Sequence, residues 1–441
     1  MKLPLTAKLM IPLMVLGSAG SAWALPSFAR QTGLSCNVCH YDPPELTPFG
    51  RWFKLHGYTL VNDTKANTIG DGNTLQLLRV LPLAVMFQAS DTVLQKAQPG
   101  TQNGTVEFPQ QLSLFLAGSM AKHFGVFAQT TYDHQSDHFT MDNTDIRYAN
   151  SVKVNGKDLD YGVTLNNNPT LEDLWNSTPA WGFPYVSADQ TPGSIADPVI
   201  DGALAQDVAG IGGYAMWNNH LYGDISLYRS EHAGGAAPAD GSGFGYNISG
   251  AAPYWRFAWQ QNVGKGYLEV GTYGIYMRSF PGAISGPADR YVDPSFDFSY
   301  ERPFGADTLS LHGTYIHESS NMQATYTAGG AAMSGHSLDL GRMDATYYWG
   351  SKYNVTASYF NMAGSSDSVL YAPAAVAGSR TGSPNTAGYI FEGSYWPDQN
   401  IDLTLAYNGF SRFNGSGTNY DGSGRNASDN NTVYAAVWFN Y

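Results

Sequence analysis

One periodicity limits what this chain can become. Across most of its length, short segments of about ten residues alternate apolar and polar side chains with a period of two. In 307–317, Leu309, Leu311, Gly313 and Tyr315 fall on one face, and Ser310, His312 and Thr314 on the other. In 401–409, Ile401, Leu403, Leu405 and Tyr407 oppose Asp402, Thr404 and Asn408. The segments 111–119, 221–229, 267–277, 353–362 and 388–396 repeat the pattern. A period of two means strands, and roughly sixteen such segments follow from about residue 74 onward. Both rows need a solvent that suits them. Polar rows lining a lumen and apolar rows meeting lipid satisfy that need, so the pattern predicts an all-β, transmembrane antiparallel β-barrel over 74–441.

The connections support a barrel. Lys122-His123, Asn155-Gly156-Lys157, Asn218-Asn219, Val263-Gly264-Lys265, Pro303-Phe304-Gly305, Ser351-Lys352 and Pro397-Asp398-Gln399 read as short turns. They alternate with longer loops rich in Gly, Ser, Ala and Asp, such as 167–205, 232–250 and 319–335. Outer-membrane barrels keep short turns in the periplasm and long loops outside. An even strand number then places both termini in the periplasm. The last segment alternates Val433, Ala435, Val437, Phe439 and Tyr441 with Tyr434, Ala436, Trp438 and Asn440. It resembles the closing strand of bacterial outer-membrane barrels, with its terminal aromatic residue. A soluble sandwich or propeller fits less well, because no blade-length repeat appears. The loop 167–205 carries Pro179-Ala180-Trp181-Gly182-Phe183-Pro184. Two courses are open to it: inward to constrict the pore, or outward over the surface.

The first residues read as a secretory signal over 1–24. Lys2 and Lys8 give the positive start, 9–16 the apolar stretch, and Ala22-Trp23-Ala24 a small-x-small cleavage site. The apolar stretch is too short to span a bilayer, and no other run approaches about 20 uninterrupted apolar residues. The mature chain is expected to begin near Leu25. Loss of two lysines leaves 21 basic residues against 36 acidic, taking the net charge from −13 to −15. Nothing in the sequence suggests a nucleophile triad, a phosphate loop or a nucleic-acid surface.

The remaining segment, 25–73, carries the chemistry. Cys36-Asn37-Val38-Cys39-His40 is a C-x-x-C-H sequence and uses both cysteines of the chain. Two thiols at this spacing can add to the vinyl groups of one haem while the adjacent histidine ligates its iron. A disulfide or redox pair is the plainer alternative, but no thioredoxin-like βαβ pattern surrounds it. The expectation is one covalent haem c, with His40 as proximal ligand. So short a segment seldom stands alone, so it is expected in or under the barrel mouth, partly helical, with lumen side chains completing the haem pocket.

His56 is the only other histidine before the barrel and the first candidate for the distal ligand. It lies in 49–58, which reads as a short helix. His312, Met86 and an open or water-bound position are the alternatives. Arg30, Arg51 and Lys54 are candidate partners for the haem propionates, or ordinary solvated charges. Asp133-His134, Asp137-His138, Glu231-His232 and His317-Glu318 fall on the long-loop side. Imidazole with carboxylate suits Fe(II), so His134 and His138 are candidate capture residues for extracellular Fe(II). Polar loops also collect such residues without any role.

Pro26-Ser27-Phe28-Ala29-Arg30-Gln31-Thr32-Gly33, the Cys36–His40 motif, Pro44-Glu45-Leu46-Thr47-Pro48-Phe49-Gly50-Arg51 and Phe53-Lys54-Leu55-His56-Gly57-Tyr58 resemble the fused outer-membrane monohaem cytochrome–porins of iron-oxidising bacteria. The resemblance covers about residues 26–58 and, beyond them, the architecture. It implies electron transfer from extracellular Fe(II) through the haem to a periplasmic electron-carrier cytochrome. An outward electron conduit to minerals or a partner cytochrome, and a diffusion porin with a structural or sensory haem, are the rival expectations.

Overall fold

A computed structural model describes residues 26–60, 68–69, 77–78, 80–133, 137–231 and 246–441. The expected signal at 1–24, His134 and His232 lie outside them. Three short helices come first: α1 (Pro26–Thr32), α2 (Cys36–Cys39) and α3 (Pro48–Leu55). The barrel strands follow in order. They are β1 (Leu83–Leu94), β2 (Thr105–Ala121), β3 (Phe124–Asp133), β4 (His138–Val154), β5 (Lys157–Asn166), β6 (Val208–Trp217), β7 (Leu221–Ser230) and β8 (Ala252–Val263). The second half holds β9 (Gly266–Phe280), β10 (Asp289–Phe304), β11 (Asp307–Asn321), β12 (Gly335–Trp349), β13 (Tyr353–Gly364), β14 (Thr386–Asp398), β15 (Ile401–Arg412) and β16 (Thr432–Asn440).

Every strand pairs antiparallel with its sequence neighbours, and β16 pairs with β1 to close the circle. The sheet contains seventeen strand segments; one of them, Asn247–Ile248, pairs only with the end of β9, which leaves sixteen around the barrel. Closure removes both sheet edges, so the interior of the sheet leaves no strand unpaired within a membrane.

The alternation reads out as expected. Leu405, Phe296 and Ile225 face outward, each about 60% exposed, while Ser310 and Arg256 face inward and are fully buried. A closed barrel that is apolar outside and polar inside is a transmembrane barrel of the outer-membrane type. Tyr441 lies outward and its backbone pairs with Val85 (2.7 and 2.8 Å), so both barrel ends meet at the short-turn rim. The first barrel strand starts at Leu83, later than the alternation suggested.

Chain enters the lumen. Inward-facing Ser113, Asp145, Thr164, Ser226 and Ser295 are all buried. Two described segments lie inside the barrel. One is the helical segment 26–60. The other is the loop between β5 and β6, which turns inward, burying Leu171, Leu174 and Trp175. Arg256 of β8 holds this loop through Asp173 (3.0 Å) and also binds Asp297 (2.8 Å). The Trp175 indole N–H donates to the Tyr267 hydroxyl (2.6 Å).

Candidate functional site

The site is built by α2 and α3. Thr47 caps α3, its hydroxyl accepting from the Gly50 N–H (3.2 Å), and Pro48 pre-sets the first helical turn. The Thr47 N–H donates to the Cys39 carbonyl (2.9 Å) and its hydroxyl donates to the Val38 carbonyl (2.5 Å), clamping α3 across α2. Gly50 permits the crossing: a Cβ there would stand 2.1 Å from the Cys39 carbonyl oxygen. The single turn of α2 places both thiols and His40 together.

The helices are tied to the barrel on every side. Phe28 stacks on Tyr58 (5.6 Å) and meets Phe53 edge-on (5.2 Å). The Tyr58 hydroxyl donates to Asp145 (2.6 Å). Arg51 makes a bidentate pair with Glu301 of β10, both side chains being buried, and also donates to the Leu46 carbonyl (3.0 Å). Glu45 accepts from Ser310 (2.8 Å) and Tyr185 (3.1 Å), and Asp42 accepts from Asn354 (2.7 Å). The Cys36 N–H donates to the side chain of Gln399, in the β14–β15 turn, which sets α2 at the short-turn end.

A cavity of about 380 Å³ opens between these elements, within the range of roughly 300–1,000 Å³ usual for cofactor and ligand sites. Cys36, Cys39 and His40 line one side. Met86, Phe115 and Phe127 of the barrel wall line another, and Trp181, Pro184 and Tyr185 of the inward loop line a third. The lining is largely apolar and aromatic, as a flat apolar macrocycle requires. His40 Nδ1 is buried without a hydrogen-bond partner. Burial pushes the His40 imidazole down to about 4, so it is neutral with a lone pair to offer. Burial, reinforced by Cys36, pushes the Cys39 thiol up to about 12. The cysteines are not joined in a disulfide. Thiols, neutral imidazole and apolar walls together fit a covalently attached haem.

The other expected residues divide. Lys54 lines the cavity; its ammonium donates to the Asp173 carbonyl (2.6 Å) and lies 4.8 Å over the Trp181 ring. Burial, helped by nearby Arg147, lowers it to about 7, and a haem carboxylate would be a suitable partner. Arg51 is spent on Glu301. Arg30 donates to the Leu83 carbonyl and lies 5.9 Å from the centre of the Tyr441 ring, away from the cavity. His56 is not brought to the cavity. Its Nδ1 bonds the Trp52 carbonyl (2.7 Å) and its Nε2 bonds Asp160 (3.2 Å), because α3 turns this residue to the barrel wall. His312 is likewise engaged, with Asp344 (3.0 Å) and Ser310 (3.3 Å). Met86 does line the cavity.

On the long-loop side, His138 is exposed at the start of β4. His317 pairs with Asp339 (2.8 Å), not with Glu318. Successive strand residues face opposite ways, so Glu318 points into the lumen and accepts from the Val199 N–H (2.8 Å). Among the described residues, no three of the types His, Cys, Asp and Glu gather as a metal site.

The sequence reading missed Trp181, Tyr185 and Glu301 as parts of the site. A signal was present for the last: acids and arginines on otherwise neutral inward rows are costly unless paired.

No known family model matches the chain, and no curated protein does. Among solved structures, it is similar to OmpF of Salmonella typhi in complex with daunomycin, at 10% identity and a TM-score of 0.46, over 82% of this chain and 98% of that one. It is also similar to the outer membrane channel DcaP of Acinetobacter baumannii, at 10% identity and 0.45, over 81% and 96%. The in-vitro folded outer membrane protein OmpT of Vibrio cholerae gives 10% identity and 0.42, over 82% and 97%.

Proposed function

We propose that this chain is an outer-membrane electron-transfer protein that carries one covalent haem c in the mouth of its own barrel. Its electron source is extracellular Fe(II), and its acceptor is a periplasmic electron-carrier cytochrome. One observation carries the reading: Cys36, Cys39 and His40 open together onto a cavity completed by the barrel wall and the inward loop. When bound, haem c supplies a one-electron carrier that Fe(II) reduces and the periplasmic cytochrome reoxidises.

The chain's own residues do the rest. Cys36 and Cys39 would hold the group by thioethers, and His40 would offer its neutral imidazole. Lys54 offers a cation to a carboxylate. Trp181, Phe115 and Phe127 exclude water from the apolar face. In this reading the long loops face outward and the α2 end faces the periplasm, which puts the haem site beside its periplasmic acceptor.

The test uses full-length protein made with the c-type maturation system. Intact mass and pyridine haemochrome analysis are expected to give one haem on both thioethers. Anaerobic Fe(II) is then expected to reduce it. Protein that takes haem but stays oxidised with soluble Fe(II) at every pH overturns the iron reading and leaves the outward conduit and the porin with a structural or sensory haem. Protein that takes no covalent haem ends the proposal.

A further inference from the structure

Two side chains of the first barrel strand, Met86 and Gln88, line the cavity that Cys36, Cys39 and His40 share. β1 faces Ala84, Met86 and Gln88 inward, as its dyad dictates, and all three are buried. Met86 is only 4% exposed, yet it is on the wall of the cavity that Cys36, Cys39 and His40 share. Its neighbours Ala84, Phe115 and Ala117 form an apolar cluster with Phe28 and Phe127 packed against it. Within that apolar surround, the Gln88 side-chain amide donates to the Met86 sulfur (3.6 Å). A thioether sulfur has two lone pairs. One faces Gln88, and the other is left for a metal.

The competing donors are engaged. Both nitrogens of His56 and of His312 have partners, and neither ring lines the cavity. On the cavity wall, the Tyr58 hydroxyl is committed to Asp145, the Lys54 ammonium to the Asp173 carbonyl, and the Tyr185 hydroxyl to Glu45. Thioether sulfur is a soft ligand that haem iron accepts.

Resting on the haem reading above, we infer that Met86 Sδ is the second axial ligand of the haem iron and that Gln88 is its positioning residue. The bond joins segment 26–60 to barrel strand β1. Haem attachment therefore also fastens the lumen segment to the wall.

The test compares haem-loaded full-length protein with Met86→Leu, Met86→His and Gln88→Leu. The unaltered ferric protein is expected to show the weak red sulfur-to-iron charge-transfer band, and the ferrous protein a strongly upfield-shifted methionine methyl resonance. Met86→Leu is expected to lose the band and become high-spin. Met86→His is expected to be low-spin with a lower reduction potential, since methionine ligation raises it. Gln88→Leu is expected to keep the methionine signals but shift the potential. Should Met86→Leu not assemble, the unaltered protein still decides: covalent haem without either methionine signal overturns the inference and leaves the haem reading standing. Unchanged spectrum and potential in Met86→His overturns it equally. Absence of covalent haem in the unaltered protein ends both.

Discussion

Replacing Arg51 by Met is expected to loosen the helical segment from the lumen without touching the barrel. Arg51 lies on α3, and its guanidinium is 6% exposed against a Glu301 carboxylate that is 4% exposed. The pair is bidentate, the Tyr267 ring lies 4.6 Å from the guanidinium, and the Leu46 carbonyl takes a further bond. Exposed ion pairs contribute about 0–1 kcal/mol. Here removal of one partner leaves Glu301 buried with only the Tyr41 hydroxyl (3.3 Å) among the described residues. Breaking a buried pair in this way costs about 3–5 kcal/mol. None of the barrel's ladder hydrogen bonds involves Arg51, so the cost falls on docking of α3. At about 1.4 kcal/mol per tenfold, local opening of α3 rises by roughly two to three-and-a-half orders of magnitude. Hydrogen exchange followed by mass spectrometry reads this directly. The amides of 50–58 are expected to exchange faster by that factor while strand peptides serve as the control. Adding Glu301→Leu to Arg51→Met is expected to recover most of the loss, because an apolar pair replaces the stranded charge. Exchange within tenfold of the unaltered protein, or no recovery in the double variant, refutes the reasoning.

Three further outcomes follow from the same geometry. Gly50→Ala puts a Cβ against the Cys39 carbonyl oxygen; overpacking of about 1–3 kcal/mol outweighs about 1 kcal/mol of helix propensity. Its haem-to-protein ratio after maturation is expected to fall, and an unchanged ratio counts against the crossing. In haem-free protein, Lys54 drops from 10.5 to about 7. A base lowered on folding costs most stability below its folded value, and the cost fades as pH rises from about 7 toward 10.5. Lys54→Met is expected to gain most over the parent near pH 7 and least near pH 10, measured by denaturant unfolding; a flat difference contradicts this. Finally, Ser285→Cys in the β9–β10 loop is expected to react with an impermeant maleimide on whole cells, and Asn155→Cys in the β4–β5 turn is not. Both positions are exposed at opposite ends of the barrel, and the reverse pattern inverts the orientation.

The strands were legible because a sheet between lipid and a polar interior imposes a period of two that no other element shares. Leu405 outward and Ser310 inward needed only that count. Cys36, Cys39 and His40 were legible as a candidate haem-attachment site because that chemistry, where it occurs, is fixed within five consecutive residues. What lay beyond was set by packing across long sequence distances. The pairing of Arg51 with Glu301 spans 250 residues, and the Glu45 contact with Tyr348 spans 303. No local pattern encodes either. The inward course of 167–205 depended on buried partners such as Arg256, which only the closed barrel supplies. His56 looked like a ligand because it was the nearest imidazole in sequence. The turn of α3 aims it at Asp160 instead, and the same closure brings Met86, from the barrel's first strand, onto the wall of the cavity that His40 lines. Spacing along the chain decides which residues can share one macrocycle. Only the folded lumen decides what faces it from the other side.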